Sequence, residues 1–213
     1  RRMTPIEKRN ALAGQRIVKN LEKRHYEAYY VPTGNDAAAK VLQIIKKGSS
    51  VSWGGSMTIR DIGLTATLKN GDYKVYDRDD VTTLEDKLSI YRKAFECDYY
   101  ISSVNAMTED GVIVNVDGNG NRVAAITWGP EKVILVVGIN KVCPDVETAL
   151  KRARSYAAPV NMARFNYETP CQKDGLCHDC LSPDSICNYI SIQRMSHPAK
   201  RHIVIVVGEE LGY

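Results

Sequence analysis

Thr108–Val142 reads TEDGVIVNVDGNGNRVAAITWGPEKVILVVGINKV, and the fold is decided here. Two apolar runs rich in β-branched residues, Val112–Val116 and Val133–Val137, have strand composition. Between them Asp117-Gly118-Asn119-Gly120-Asn121 is a run of small and amide residues that supplies positive φ and exposed backbone N–H groups. Arg122–Trp128 can form a short helix, which Gly129-Pro130 stops. Strand, Gly/Asn turn and helix N-terminus in succession favour an anion through backbone donors and the helix dipole.

Upstream, Thr4–His25 reads as a helix: Thr4 can cap, Pro5 suits the first turn and Glu7 completes a capping box. Glu27–Val31 is a strand and Asp36–Lys47 an amphipathic helix. Ser50–Trp53 is a strand running into a second Gly-rich turn, Gly54-Gly55-Ser56-Met57-Thr58, with Ile59–Leu68 helical beyond it. Asp72–Tyr76 (strand), Thr83–Phe95 (helix) and Asp98–Ser102 (strand) come next. This alternation predicts an α/β fold with a mainly parallel sheet and helices on both faces. Downstream, Pro144–Ala158 is a helix, Thr169–Asn188 an irregular Cys-rich segment and Ile203–Val207 the closing strand.

The 213 residues suit a single domain, 4–213, with the Cys-rich stretch 169–188 set before the last strand. A net charge of +4, with Lys and Arg scattered, argues against a nucleic-acid partner. No apolar run approaches the ~18 residues of a membrane span, so no membrane partner is expected. Six cysteines without a secretory signal point to the cytoplasm, where clustered cysteines more often hold a metal than pair.

At the carboxyl end of a strand, Gly54 and Gly55 let the backbone approach a ligand, and the Ser56 and Thr58 hydroxyls can hold a phosphate or carboxylate. A plain tight turn with Ser56 as N-cap is the bland alternative. Asp110, or its neighbour Glu109, is a candidate general base, against a solvated Asp-Gly turn. Asn140 and Lys141 come after a strand, so Lys141 can pair with an anion or lie at the surface; Arg60 and Arg122 are further candidates. Cys97 and Cys143 read as buried small hydrophobes. Cys171, Cys177, Cys180 and Cys187 form C-x5-C-x2-C-x6-C, a donor count for Zn²⁺ or a [4Fe-4S] cluster, with a disulfide or free thiols as the alternative. His178 lies between them as a bystander or substitute ligand. Neither Gly-rich turn is a G-x-G-x-x-G fingerprint, so no nicotinamide cofactor is expected, and there is no nucleophile elbow or linked Cys–His pair.

Ser52-Trp53-Gly54-Gly55-Ser56-Met57-Thr58, Asp117 to Ala125, Gly129-Pro130 and Val136 to Lys141 together resemble the lactate-utilisation (LUD) domain family. The cysteine tail and the closing Val206 to Tyr213 resemble its short, cysteine-tailed members. The resemblance implies a Rossmann-like fold akin to the sugar-phosphate isomerase, CoA-transferase and formyl-tetrahydrofolate cyclo-ligase superfold. It implies an anion site at Gly54, Gly55, Ser56 and Thr58, with Asp110, Gly111, Asp117, Gly118, Asn119, Gly120, Asn121 and Arg122 lining the same cleft. The family's name comes from bacterial lactate oxidation, alongside iron–sulfur and oxidoreductase partner subunits. The expected role is binding a small anionic metabolite or nucleotide in organic-acid metabolism, with a Cys-ligated metal. The alternatives are an isomerase or cyclo-ligase-like enzyme with Asp110 or Glu109 as base and Lys141 or Arg122 as stabiliser, and a tail that docks a partner subunit or second protomer.

Overall fold

Thr4 opens the chain's first helix as its side chain dictates. Its Oγ1 accepts from the Glu7 N–H at 3.2 Å while Glu7 Oε2 accepts from the Thr4 N–H at 2.7 Å, a complete capping box. The computed structural model describes residues 1–213. It runs α1 (Pro5–Lys23), β1 (Glu27–Val31), α2 (Gly34–Ile44), β2 (Ser50–Trp53), α3 (Met57–Asp61), α4 (Leu64–Lys69), β3 (Lys74–Tyr76), α5 (Leu84–Ala94) and β4 (Tyr99–Ser102). Then come β5 (Ala106–Thr108), β6 (Ile113–Asp117), α6 (Asn121–Thr127), β7 (Lys132–Gly138), β8 (Val142–Cys143), α7 (Val146–Arg152), α8 (Ala158–Met162), α9 (Pro170–Asp174), β9 (Tyr189–Gln193) and β10 (His202–Val207).

Six strands form a wholly parallel sheet in the order β1-β10-β7-β4-β2-β3. Its central strands are apolar on both faces because both are covered. In β7, Val133, Leu135 and Val137 pack with Ile17 and Leu21 of α1 and Ala125 and Ile126 of α6. The alternate residues Ile134 and Val136 pack with Ala37 and Val41 of α2, Ile59 of α3 and Leu64 and Leu68 of α4. The period of two thus assigns each β7 side chain to one of two cores.

The structure departs from the sequence reading in a second, four-stranded sheet, β8-β5-β6-β9, mixed in direction. The Val112–Val116 run belongs there, as β6, and not to the parallel sheet. Its back is sealed by Ala149 and Ala153 against Val114 and Val116. The expected helix Ile59–Leu68 is two helices, because Gly63 adopts a left-handed φ of 73° between α3 and α4. The Cys-rich segment contributes the short α9 and leads directly into β9, an edge strand.

Gly14 lets α1 approach the sheet: a Cβ there would overlap the Tyr30 ring of β1. Gly14→Ala should therefore destabilise the fold by about 1–3 kcal/mol, although alanine favours an exposed helix interior by about 1 kcal/mol. Urea unfolding of this variant beside Gln15→Ala, at an exposed site on the same helix, checks it; equal or higher stability for Gly14→Ala contradicts the packing argument.

Candidate functional site

A cleft of about 680 Å³ opens where the two sheets meet. Segments just past the carboxyl ends of five parallel strands wall it: Gly55 to Thr58 after β2, Arg78 and Asp79 after β3, Ser103 to Asn105 after β4, Lys141 after β7, and Gly212 and Tyr213 after β10. Ligands of open α/β sheets bind at this end. The facing wall is Val116 to Asn119 with Asn121 and Arg122, and residues 183–186 with Asn188 of the Cys-rich segment complete it. The two Gly-rich turns, some sixty residues apart in the chain, therefore border one cavity.

The glycines serve mainly to bring side chains close. A Cβ on Gly54 would lie 3.0 Å from Arg122 Cδ and 3.1 Å from Tyr100 Oη, and one on Gly55 would strike the Arg78 guanidinium. Gly118 admits the backbone of Ile186, whose Cα would be 3.2 Å from a Cβ. Gly120, at φ 76°, starts α6 and lies against the Tyr189 ring. Gly54 and Gly120 stand behind the cleft wall, so their role is packing.

Arg122 is the hub of this wall. Its Nε donates to Asp117 Oδ1 (3.0 Å), Nη1 to Asn115 Oδ1 (2.8 Å) and Ser103 O (3.2 Å), and Nη2 to Asn105 Oδ1 (2.8 Å) and Val116 O (3.3 Å). The other Asp117 oxygen accepts from the Val123 N–H at 2.7 Å and fixes the start of α6. The expectation of Arg122 as a free anion ligand is corrected: its donors already have protein acceptors.

Lys141 is 5 % exposed, and its Nζ donates to Thr58 Oγ1 at 3.1 Å and Ser103 Oγ at 3.0 Å. It forms no ion pair with a carboxylate. Burial, with the Arg152 and Arg122 charges nearby, holds its pKa down at about 7. The cleft lining carries six cationic side chains, Arg60, Arg78, Lys87, Arg122, Lys141 and Arg164, against the carboxylates of Asp79, Asp117 and Asp184. Asp79 pairs with Arg60 and lies 3.8 Å from Arg78 Nε, and Asp117 pairs with Arg122, which leaves a net positive space around Lys141. Arg78 donates from Nη1 to Tyr91 Oη at 2.8 Å.

Several expected residues lie elsewhere. Asp110 accepts from Arg24 Nη2 at 2.7 Å and from the Thr108 hydroxyl, is exposed, and is absent from the cleft wall. The Thr108 and Arg24 bonds hold its pKa below the ordinary carboxylate value, the wrong direction for a general base. Glu109 is fixed by its backbone to Cys143 O and Asn20, also outside the cleft. Gly111, at φ 93°, packs against Leu21 beneath α1. Asn140 clamps the tail: its Oδ1 accepts from the Leu211 N–H at 3.0 Å and its Nδ2 donates to Leu211 O at 3.3 Å. The residues missed in the sequence are Arg78, Tyr91, Ser103, Asn105 and Arg164; three of these come directly after parallel strands, which is the signal that marks them.

Cys171, Cys177, Cys180 and Cys187 line one small pocket of about 20 Å³, with Arg154 and His178 beside them. All four are free thiols, and no set of three or more His, Cys, Asp or Glu side chains stands in a metal-holding arrangement. His178 bonds Asp174 at 2.7 Å. This segment reaches the cleft: the Asn188 N–H donates to Asp117 O at 3.0 Å and Asn188 Nδ2 to Gly118 O at 3.1 Å.

Two substitutions test this description. Arg122→Ala should cost about 3–5 kcal/mol, because it leaves Asp117 charged and nearly buried without its partner; denaturant unfolding measures it, and a loss below about 1 kcal/mol contradicts the hub. Lys141→Met should stabilise the protein, most strongly at and below about pH 7, where the native state holds a buried charged amine. Between about 7 and 10.5 the unfolded chain binds one more proton at this site, so wild-type stability gains about 1.4 kcal/mol per pH unit from it. The advantage of Lys141→Met should therefore shrink as pH rises; an advantage independent of pH is the contrary result.

The fold agrees with a crystal structure of a DUF162 family protein from Deinococcus radiodurans, at a TM-score of 0.54 and 10% identity, over 93% of this chain and 97% of that one. Chaetomium thermophilum eIF2B beta is a weaker likeness, at a TM-score of 0.38 and 14% identity, over 54% of this chain and 44% of that one. No curated protein matches the sequence. The LUD domain family model matches residues 14–207, nearly the whole chain, and the protein belongs to that family.

Proposed function

We propose that this protein acts in lactate-related organic-acid metabolism by binding a small anionic metabolite in the cleft between its sheets. The observation that carries this is Lys141, a nearly buried amine without a carboxylate partner, in a cavity where cations outnumber acids. Such an arrangement is costly when empty and is offset when an anion enters. Arg78 and Arg164 supply further positive charge, and the Ser56 hydroxyl, which makes no capping bond, is a neutral donor. The family suggests a lactate-utilisation role; the cleft suggests the charge and size of the ligand. Asp110 and Glu109 stand outside it, which argues against the isomerase-like alternative built on them.

Calorimetric titration with L-lactate, pyruvate, inorganic phosphate and ATP tests this. At least one should bind, and Arg78→Ala should weaken that affinity ~10-fold or more, the usual loss for a charged hydrogen bond. No heat and no rise in melting temperature with any of the four overturns the reading.

In this reading the tail cysteines hold a metal that secures the cleft wall. Four soft thiols around one small pocket suit Zn²⁺ or an iron–sulfur cluster by number and chemistry, and metal entry would draw them together. Bound there, the group supplies a covalent clip, or electron transfer if it is a cluster. Asn188 and Ile186 transmit the constraint to Asp117 and Gly118. Anaerobically purified protein should carry stoichiometric metal that Cys180→Ser loses, with weakened anion binding and an intact α/β core. Metal-free protein whose affinity survives Ser at all four positions contradicts the clip.

A further inference from the structure

Lys141 has an environment that an anion-pairing lysine does not need. It closes the short turn Ile139–Lys141 after β7, and its amine meets two hydroxyls, Thr58 at 3.1 Å and Ser103 at 3.0 Å. The charged groups acting on it are Arg152 and Arg122, which repel a proton, and Asp61, which attracts one but makes no ion pair with it. The Gly212 backbone passes close to both Nζ and Thr58, which shields the amine from bulk water. An amine so held is a nucleophile at neutral pH. Arg78 in the same cavity, with Nη1 on Tyr91 and Nε beside Asp79, keeps Nη2 for a carboxylate. An electrophilic carbonyl for the amine and a carboxylate for the arginine together describe a 2-oxo acid.

We infer that Lys141 forms a reversible imine with a 2-oxo acid bound in the cleft. This deepens the anion-binding reading and rests on it. The Nζ lone pair attacks the carbonyl carbon, a C–N bond forms, and the C=O π pair passes to oxygen, which takes up a proton. The resulting carbinolamine loses its remaining N–H proton and expels the hydroxyl as water, leaving C=N. Amine plus carbonyl gives imine plus water, and nothing is oxidised or reduced. Thr58 and Ser103 stand where their hydroxyls can relay the proton between nitrogen and oxygen.

The full chain incubated with pyruvate and then reduced with borohydride provides the test, read by intact mass and peptide mapping. The expected result is a single saturable adduct on Lys141, formed at least ~10-fold faster than on exposed lysines and rising in rate through about pH 7. Lys141→Arg should lose the adduct, whatever its pyruvate affinity, while the wild-type chain binds pyruvate by calorimetry. Because arginine keeps the positive charge, it serves even if Lys141→Met alters folding. Pyruvate that binds without an adduct on Lys141 overturns the imine and leaves anion binding standing; labelling spread evenly over surface lysines overturns it equally. Neither binding nor adduct defeats both readings.

Discussion

A buried guanidinium needs an acceptor for every donor, and the cleft owes its shape to how Arg122 meets that demand. Its partners come from the loop after β4 and from β6, strands of two different sheets. The fork therefore fixes the angle between the sheets at the mouth of the cleft, and with it the distance between the two Gly-rich turns. Gly54 lets the aliphatic part of Arg122 lie close, since a Cβ there would crowd it at 3.0 Å. Lysine, a single rotatable ammonium, cannot reproduce that geometry.

Beyond this hub the cleft is unbalanced by design. Carboxylates within it are each committed: Asp79 to Arg60 and Arg78, Asp117 to Arg122, and Asp184 to the Glu168 N–H. Lys141 is left with hydroxyls, which accept a hydrogen bond but do not neutralise a charge. Evolution of a purely structural core would favour an apolar side chain here. Retaining the amine makes sense when the guest in the cavity supplies the negative charge that the protein withholds.

Much of this was readable in the chain. Repeated strand–helix alternation gave the parallel sheet, and the apolar run of β7 marked its centre. The convergence of Gly55–Thr58 with Asp117–Arg122 stemmed from both lying at strand ends. The second sheet was obscure because β5 has three residues, β8 two, and β9 exposes Tyr189, Ile190 and Ile192 on an edge. Asn105 and Asn115 look like loop and strand polar residues until Arg122 is placed between them. Asp110 misled because an Asp-Gly turn before a strand looks the same whether its carboxylate faces a cavity or an arginine on α1.

The strand order has a consequence for how the molecule is made. β10, the last strand in sequence, lies between β1 and β7 and bonds to both. During synthesis β1 and β7 must wait, with their inward edges unpaired, until β10 has left the ribosome. Pairing β1 with β10 also closes a loop spanning most of the polypeptide, a topology that slows folding. The nascent protein is thus most exposed to wrong strand partners just before β10 emerges, the stage at which a chaperone would matter most.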